Sequence, residues 1–165
     1  MKSNVPTVRQ IAWVSMIPQL ILMGLIIYGY YLLDFEDPLL FGLLTYLILS
    51  FGLRSMVLKD HKQGIKLLKQ QQFADAISLF EKSVVFFTKN AWVDKYRFLT
   101  LLSSSKMTYK EMGLCNIAFC HSQIGNGQKA KEYYEQTLTE FPDNGLAKAG
   151  LNMINSVGQT TQIET

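Results

Sequence analysis

Ile11–Leu33 reads IAWVSMIPQLILMGLIIYGYYLL, 23 residues without a charged side chain. Ser15, Pro18 and Gln19 are its only notable polar or helix-breaking interruptions. As a helix rising about 1.5 Å per residue, the stretch is roughly 35 Å long, enough to cross a hydrocarbon layer of about 30 Å. The competing reading is a cleaved signal peptide. That reading asks for an apolar core of about 7–15 residues followed by a small-residue cleavage site, and Tyr28–Leu33 contains no such site.

Moving outward, Asp34-Phe35-Glu36-Asp37-Pro38 makes an acidic turn, and Pro38 suits the first turn of a new helix. The chain is again apolar from Leu39 to Leu53 and, despite Arg54, a second span covers residues 38–58. Residues 1–58 therefore read as a membrane anchor of two transmembrane helices, about 11–33 and 38–58. Each helix satisfies its own backbone hydrogen bonds, as lipid demands. Lys2 and Arg9 precede the hairpin, Arg54, Lys59 and Lys62 close it, and the turn carries three acids. The positive-inside rule then places both termini on the cytoplasmic side of a plasma or inner membrane. Arg54 is the only ionisable residue within the spans and lies near enough to an end to snorkel. The spans thus read as anchors rather than as an ion path. Arg54, Lys59 and Lys62 are expected at the membrane surface. Lys59, Lys62, Lys66 and Lys69 share one helical stripe. The stripe reads either as a solvated face or as one drawn to anionic headgroups, at about 1 kcal/mol per lysine near the surface.

The net charge is +3. From Asp75 onward nine basic and nine acidic residues cancel, so the excess lies at the membrane end. A nucleic-acid binder carries its basic patch on the folded domain, and that class is excluded. Cys115 and Cys120, five apart, match neither a zinc pair nor a redox pair and read as small buried apolar residues.

The polar part carries an internal repeat. Gly64, Ala76, Phe80 and Val84 align with Ala118, Ala130, Tyr134 and Leu138. The second copy runs Asn116-Ile117-Ala118, then His121, Gly125-Asn126-Gly127, Ala130, Tyr133-Tyr134, Leu138 and Pro142-Asp143-Asn144. This resembles the tetratricopeptide repeat, an antiparallel helix pair of about 34 residues. The family's small residue, close-contact alanine, following aromatic and closing proline match Ala118, Ala130, Tyr134 and Pro142. In the first copy Gly64, Ala76 and Phe80 match, with Thr88 where proline is expected. The resemblance covers about 90 of 165 residues. It implies an all-α protein: two transmembrane helices, then a short α-solenoid over residues 59–157. Repeats fall at about 57–90 and 111–144, and the second span continues into the first of them. An inserted helix at about 91–104, a capping helix at about 146–156 and a flexible tail over 158–165 complete the expectation. Two departures stand out. Ala76 and Ala130 are 54 residues apart, which leaves an insert of about 20 residues, and the family usually stacks at least three repeats.

What the family does implies a groove that binds another protein, lined from the first helix of each pair by Gln63, Leu67, Asn116, Phe119 and Gln123. Each of these reads equally well as scaffold. In the variety that grips a terminal carboxylate, Asn116 matches one position, but His61 and Ile65 stand where Lys and Asn are needed, so that ligand is not carried over. Thr108-Tyr109-Lys110-Glu111 has capping-box form and starts a helix at Tyr109. In the insert, Trp92, Tyr96, Leu99 and Leu102 fall on one helical face, with Asp94 and Arg97 pointing away. Either this face packs on the repeats, or Trp92 and Tyr96, with Phe98, stay exposed to anchor a partner or the bilayer.

No phosphate loop, metal-ligand cluster or paired-carboxylate motif is present. His121 falls where the repeat places a packed aromatic. The expectation is a non-enzymatic interaction module or scaffold without cofactor, held at the cytoplasmic face, with a protein partner and the bilayer as its contacts. The alternative is a structural subunit of a membrane complex, with its hairpin as the main contact.

Overall fold

The computed structural model describes residues 12–163, with side chains to Ser156. Every regular element among them is helical. A 3-10 turn at Trp13–Ser15 leads into α1 (Met16–Leu32), followed by α2 (Pro38–Val57), α3 (Lys59–Lys69) and α4 (Phe73–Lys89). Two short helices follow, α5 (Ala91–Lys95) and α6 (Arg97–Thr100), and then α7 (Tyr109–Gln123), α8 (Gly127–Glu140) and α9 (Gly145–Ile163). They fall into two compact units. Among the described residues, one joins the chain up to Lys59 with Asn90–Thr108, and the other joins Asp60–Lys89 with the chain from Tyr109 onward.

In the first unit, Trp13–Leu32 and Pro38–Val57 are each long and apolar enough to cross a membrane. Apolar composition does not make them a protein core: α1 has no buried residue and α2 only Gly42. A Cβ on Gly42 would lie 2.9 Å from the Ile27 Cα, so only glycine lets the two helices approach this closely. Tyr30 and Thr45 share a hydroxyl hydrogen bond of 2.8 Å across the pair. Asp34 turns the chain with a φ of 51°. Beside it the Tyr30, Phe35 and Phe41 rings cluster at 5.0–6.0 Å.

The insert belongs to this unit, whereas the sequence placed it in the repeat domain as one helix over 91–104. The helix breaks at Tyr96 for a local reason. The Thr100 hydroxyl donates to the Val93 carbonyl at 2.7 Å, taking an acceptor that a continuous helix would give to the backbone of Arg97. Arg97 then gathers the following loop, donating to the carbonyls of Asp94, Ser105 and Lys106 at 3.0, 2.9 and 2.6 Å. Of the two alternatives for its aromatic face, Trp92 and Tyr96 are exposed, with Leu99, whereas Leu102 is buried; Asp94, expected to point away, is buried beside Val93.

In the second unit, small residues sit at helix contacts. Ala76, Ala118 and Ala130 are completely buried. A Cβ on Gly64 would meet the Phe80 ring at 2.8 Å. Leu68, Ala76, Phe80, Ile117 and Cys120 form the core. α4 packs on α7, α7 on α8, and α8 on α9. α7 starts at Tyr109, as its capping box predicts. Asn144 caps α9 by accepting from the Ala147 N–H at 2.7 Å and ties it to α7 by donating to Glu111 at 2.8 Å. Two boundaries differ from expectation. Leu58 separates α2 from α3 where one continuous helix was expected, and α9 runs to Ile163 through the expected tail. The last two residues of that tail lie outside the described residues, as do Lys2 and Arg9.

Candidate functional site

The second unit carries an open cleft of about 350 Å³ where α4 and α8 flank the end of α7. Helical spacing builds both walls. Ile77 and Glu81 are four apart on α4, and Lys129, Glu132, Tyr133 and Gln136 follow steps of three and four on α8. His121 of α7 forms part of the floor and stacks on Tyr133, with centroids 5.7 Å apart and planes 16° apart. The Tyr133 hydroxyl donates to Glu81 at 3.3 Å.

The electrostatics keep these rings uncharged. Burial, then Lys129, lowers the His121 pKa, against the pull of Glu81 and Glu132. Burial, then Glu81 and Glu132, raises that of Tyr133. His121 Nδ1 is buried without a hydrogen-bond partner among the described residues. The cleft thus offers two carboxylates, one ammonium and an aromatic floor, a setting for a polar or basic side chain. Burial raises both Cys115 and Cys120 to about 12, so they stay as packed thiols. Among the described residues no three His, Cys, Asp or Glu side chains are placed to hold a metal.

The five residues assigned to a groove do not line this cleft. Leu67 and Phe119 pack against the core cluster, and Phe119 meets Phe73 edge-on at 6.2 Å. Asn116 is half-buried, while Gln63 and Gln123 are exposed. His121, read as packing, does pack, but it also forms part of the cleft. The signal that could have found the cleft is charge at matched helical spacing on α4 and α8, on either side of a histidine.

In the apolar unit Trp92 and Tyr96 are exposed and Phe98 is half-buried. Lys59 is exposed there, as is Lys62 in the other unit. Arg54 has contacts of its own within the unit. It is half-buried, and its Nε donates to the Leu101 carbonyl at 3.0 Å while Nη2 donates to that of Leu102. Leu101 caps α6 and Leu102 follows it, so both carbonyls lie past the helix's own hydrogen bonds. No family model matches the chain, no curated protein matches it, and no solved structure matches it.

Proposed function

We propose that this chain is a membrane-anchored interaction module, with α1 and α2 crossing the bilayer and the repeat unit holding a segment of another protein at the cytoplasmic face. The observation that carries the reading is a contrast. The second unit buries a core of its own, whereas α1 and α2 fully bury only Gly42 and leave many large apolar side chains exposed, Leu20, Ile21, Leu25, Leu47, Ile48 and Phe51 among them. In water such a surface is unfavourable; in lipid it is matched. The small residues at positions 64, 76, 118 and 130 support a tetratricopeptide-like stacking, and that architecture suits peptide recognition. The cleft favours a segment presenting Lys or Arg between Glu81 and Glu132.

A photocrosslinking amino acid placed at Gln136, or separately at Leu47, tests this in the full-length protein within native membranes. Crosslinks from Gln136 to one protein, lost in Glu81→Lys, support the module. Crosslinks from Leu47 alone overturn it in favour of a structural subunit whose hairpin is the main contact.

A further inference from the structure

We infer that the insert, residues 90–108, is a third membrane-contacting element: Trp92, Tyr96 and Leu99 lie in the headgroup layer of the bilayer at the open end of the hairpin. The inference rests on the reading that α1 and α2 cross a membrane.

Attachment is the first argument. The insert is fastened to the ends of both apolar helices within one compact unit. Ala12, just before the turn that opens α1, donates its N–H to the Ser104 carbonyl at 2.8 Å. Arg54, in the last turn of α2, donates to the carbonyls of Leu101 and Leu102. Both helices meet the insert where their apolar stretches stop, at the depth where hydrocarbon gives way to headgroups.

The second argument is composition. Trp92 is 61% exposed, Tyr96 47% and Leu99 49%, a high exposure for large apolar side chains. Trp and Tyr have amphipathic rings that favour the membrane interface. Trp13, 75% exposed, sits at the same end of the hairpin. The opposite end has its own aromatic group of Tyr30, Phe35 and Phe41, so the unit carries aromatics at both ends of its apolar length.

Charge is the third. Lys95 lies with its Nζ 5.6 Å from the Tyr96 ring centroid. Lys59 and Lys106 are exposed in the same unit, while the one acid of the insert, Asp94, is buried. Cations beside interfacial aromatics suit the phosphate layer of a bilayer. α6 packs on α1, whose exposed apolar side chains argue for lipid as the occupant rather than a protein.

The test uses the full-length chain in phospholipid vesicles with Trp13→Phe, leaving Trp92 as the only tryptophan. Nitroxide labels are carried either on the acyl chain near the headgroup or at the chain end. A control, Trp13→Phe/Trp92→Phe/Leu47→Trp, places the reporter midway along α2. The expected result is that the headgroup-proximal label cuts Trp92 emission roughly in half, with a smaller effect from the chain-end label, as for an interfacial ring. The control responds most to the chain-end label. If that holds but Trp92 fails to respond to the headgroup-proximal label, or responds more to the chain end, the inference is overturned alone. If the control ignores the chain-end label, the spanning reading fails, and the inference with it.

Discussion

His61 shows how far one side chain in the second unit is removed from water. Its ring sits edge-on to Phe80 at 5.6 Å and to Tyr109 at 5.3 Å, with Nδ1 3.4 Å from the Ser83 hydroxyl. Burial lowers its pKa from the usual 6.5 to about 4. The unfolded chain therefore takes up this proton first as the pH falls. Stability from His61 is complete above about pH 6.5 and is lost progressively down to about pH 4, by roughly 3 kcal/mol in all. The expected outcome is a melting temperature that drops between pH 7 and pH 4.5 in detergent-solubilised full-length protein, and drops less in His61→Phe. Carboxylates and His121 titrate in both proteins, so the difference between them isolates His61. Equal slopes would show that the ring is hydrated. The sequence revealed which residues were small enough to sit between helices, because that property belongs to the residue. It did not reveal His61 as a core residue, because neighbouring lysines made the segment read as solvated.

Among the elements, the insert departs furthest from what its sequence suggests. Periodicity suggested that Trp92, Tyr96 and Leu99 share a face, and all three are exposed. Periodicity could not say whether that face meets protein, water or lipid, nor that Thr100 would break the helix. The fastening was less legible still, since Arg54 binds backbone carbonyls, which no pattern of side chains encodes. Arg54→Met keeps the apolar stem but leaves the Leu101 and Leu102 carbonyls without those donors, at a cost of about 1–3 kcal/mol. Hydrogen exchange on full-length protein in nanodiscs should show amides of residues 99–103 exchanging on the order of 10–100 times faster, with α7 unchanged. Unaltered protection in the insert would mean that Arg54 is incidental to it.

At the scale of the whole molecule, charge is sorted along the chain. The hairpin turn holds Asp34, Glu36 and Asp37, and the other end holds Arg54, Lys59, Lys95 and Arg97. If α1 and α2 cross a plasma membrane, this order keeps the basic end cytoplasmic. A tag after Thr165 should then resist protease added to sealed cells, while a site engineered between Asp34 and Asp37 is cut. Cleavage of the tag in intact cells would reverse the orientation. The two long apolar helices were legible because a long uncharged, apolar run needs no tertiary context. The division into units was not, because both are assembled from separated pieces of chain.

The clasp between Arg54 and the insert also has a consequence in time. Its acceptors lie 47 and 48 residues further along the chain. At about 5–20 residues per second, a ribosome needs roughly 2–10 s to make the intervening stretch. The hairpin is therefore synthesised before its clasp exists. If α1 and α2 cross a membrane, the guanidinium of a half-made chain lacks these two acceptors while the hairpin is being inserted. Slowing or stalling synthesis between Asp60 and Leu101 prolongs this stage, so biogenesis should be most vulnerable to misinsertion in that window.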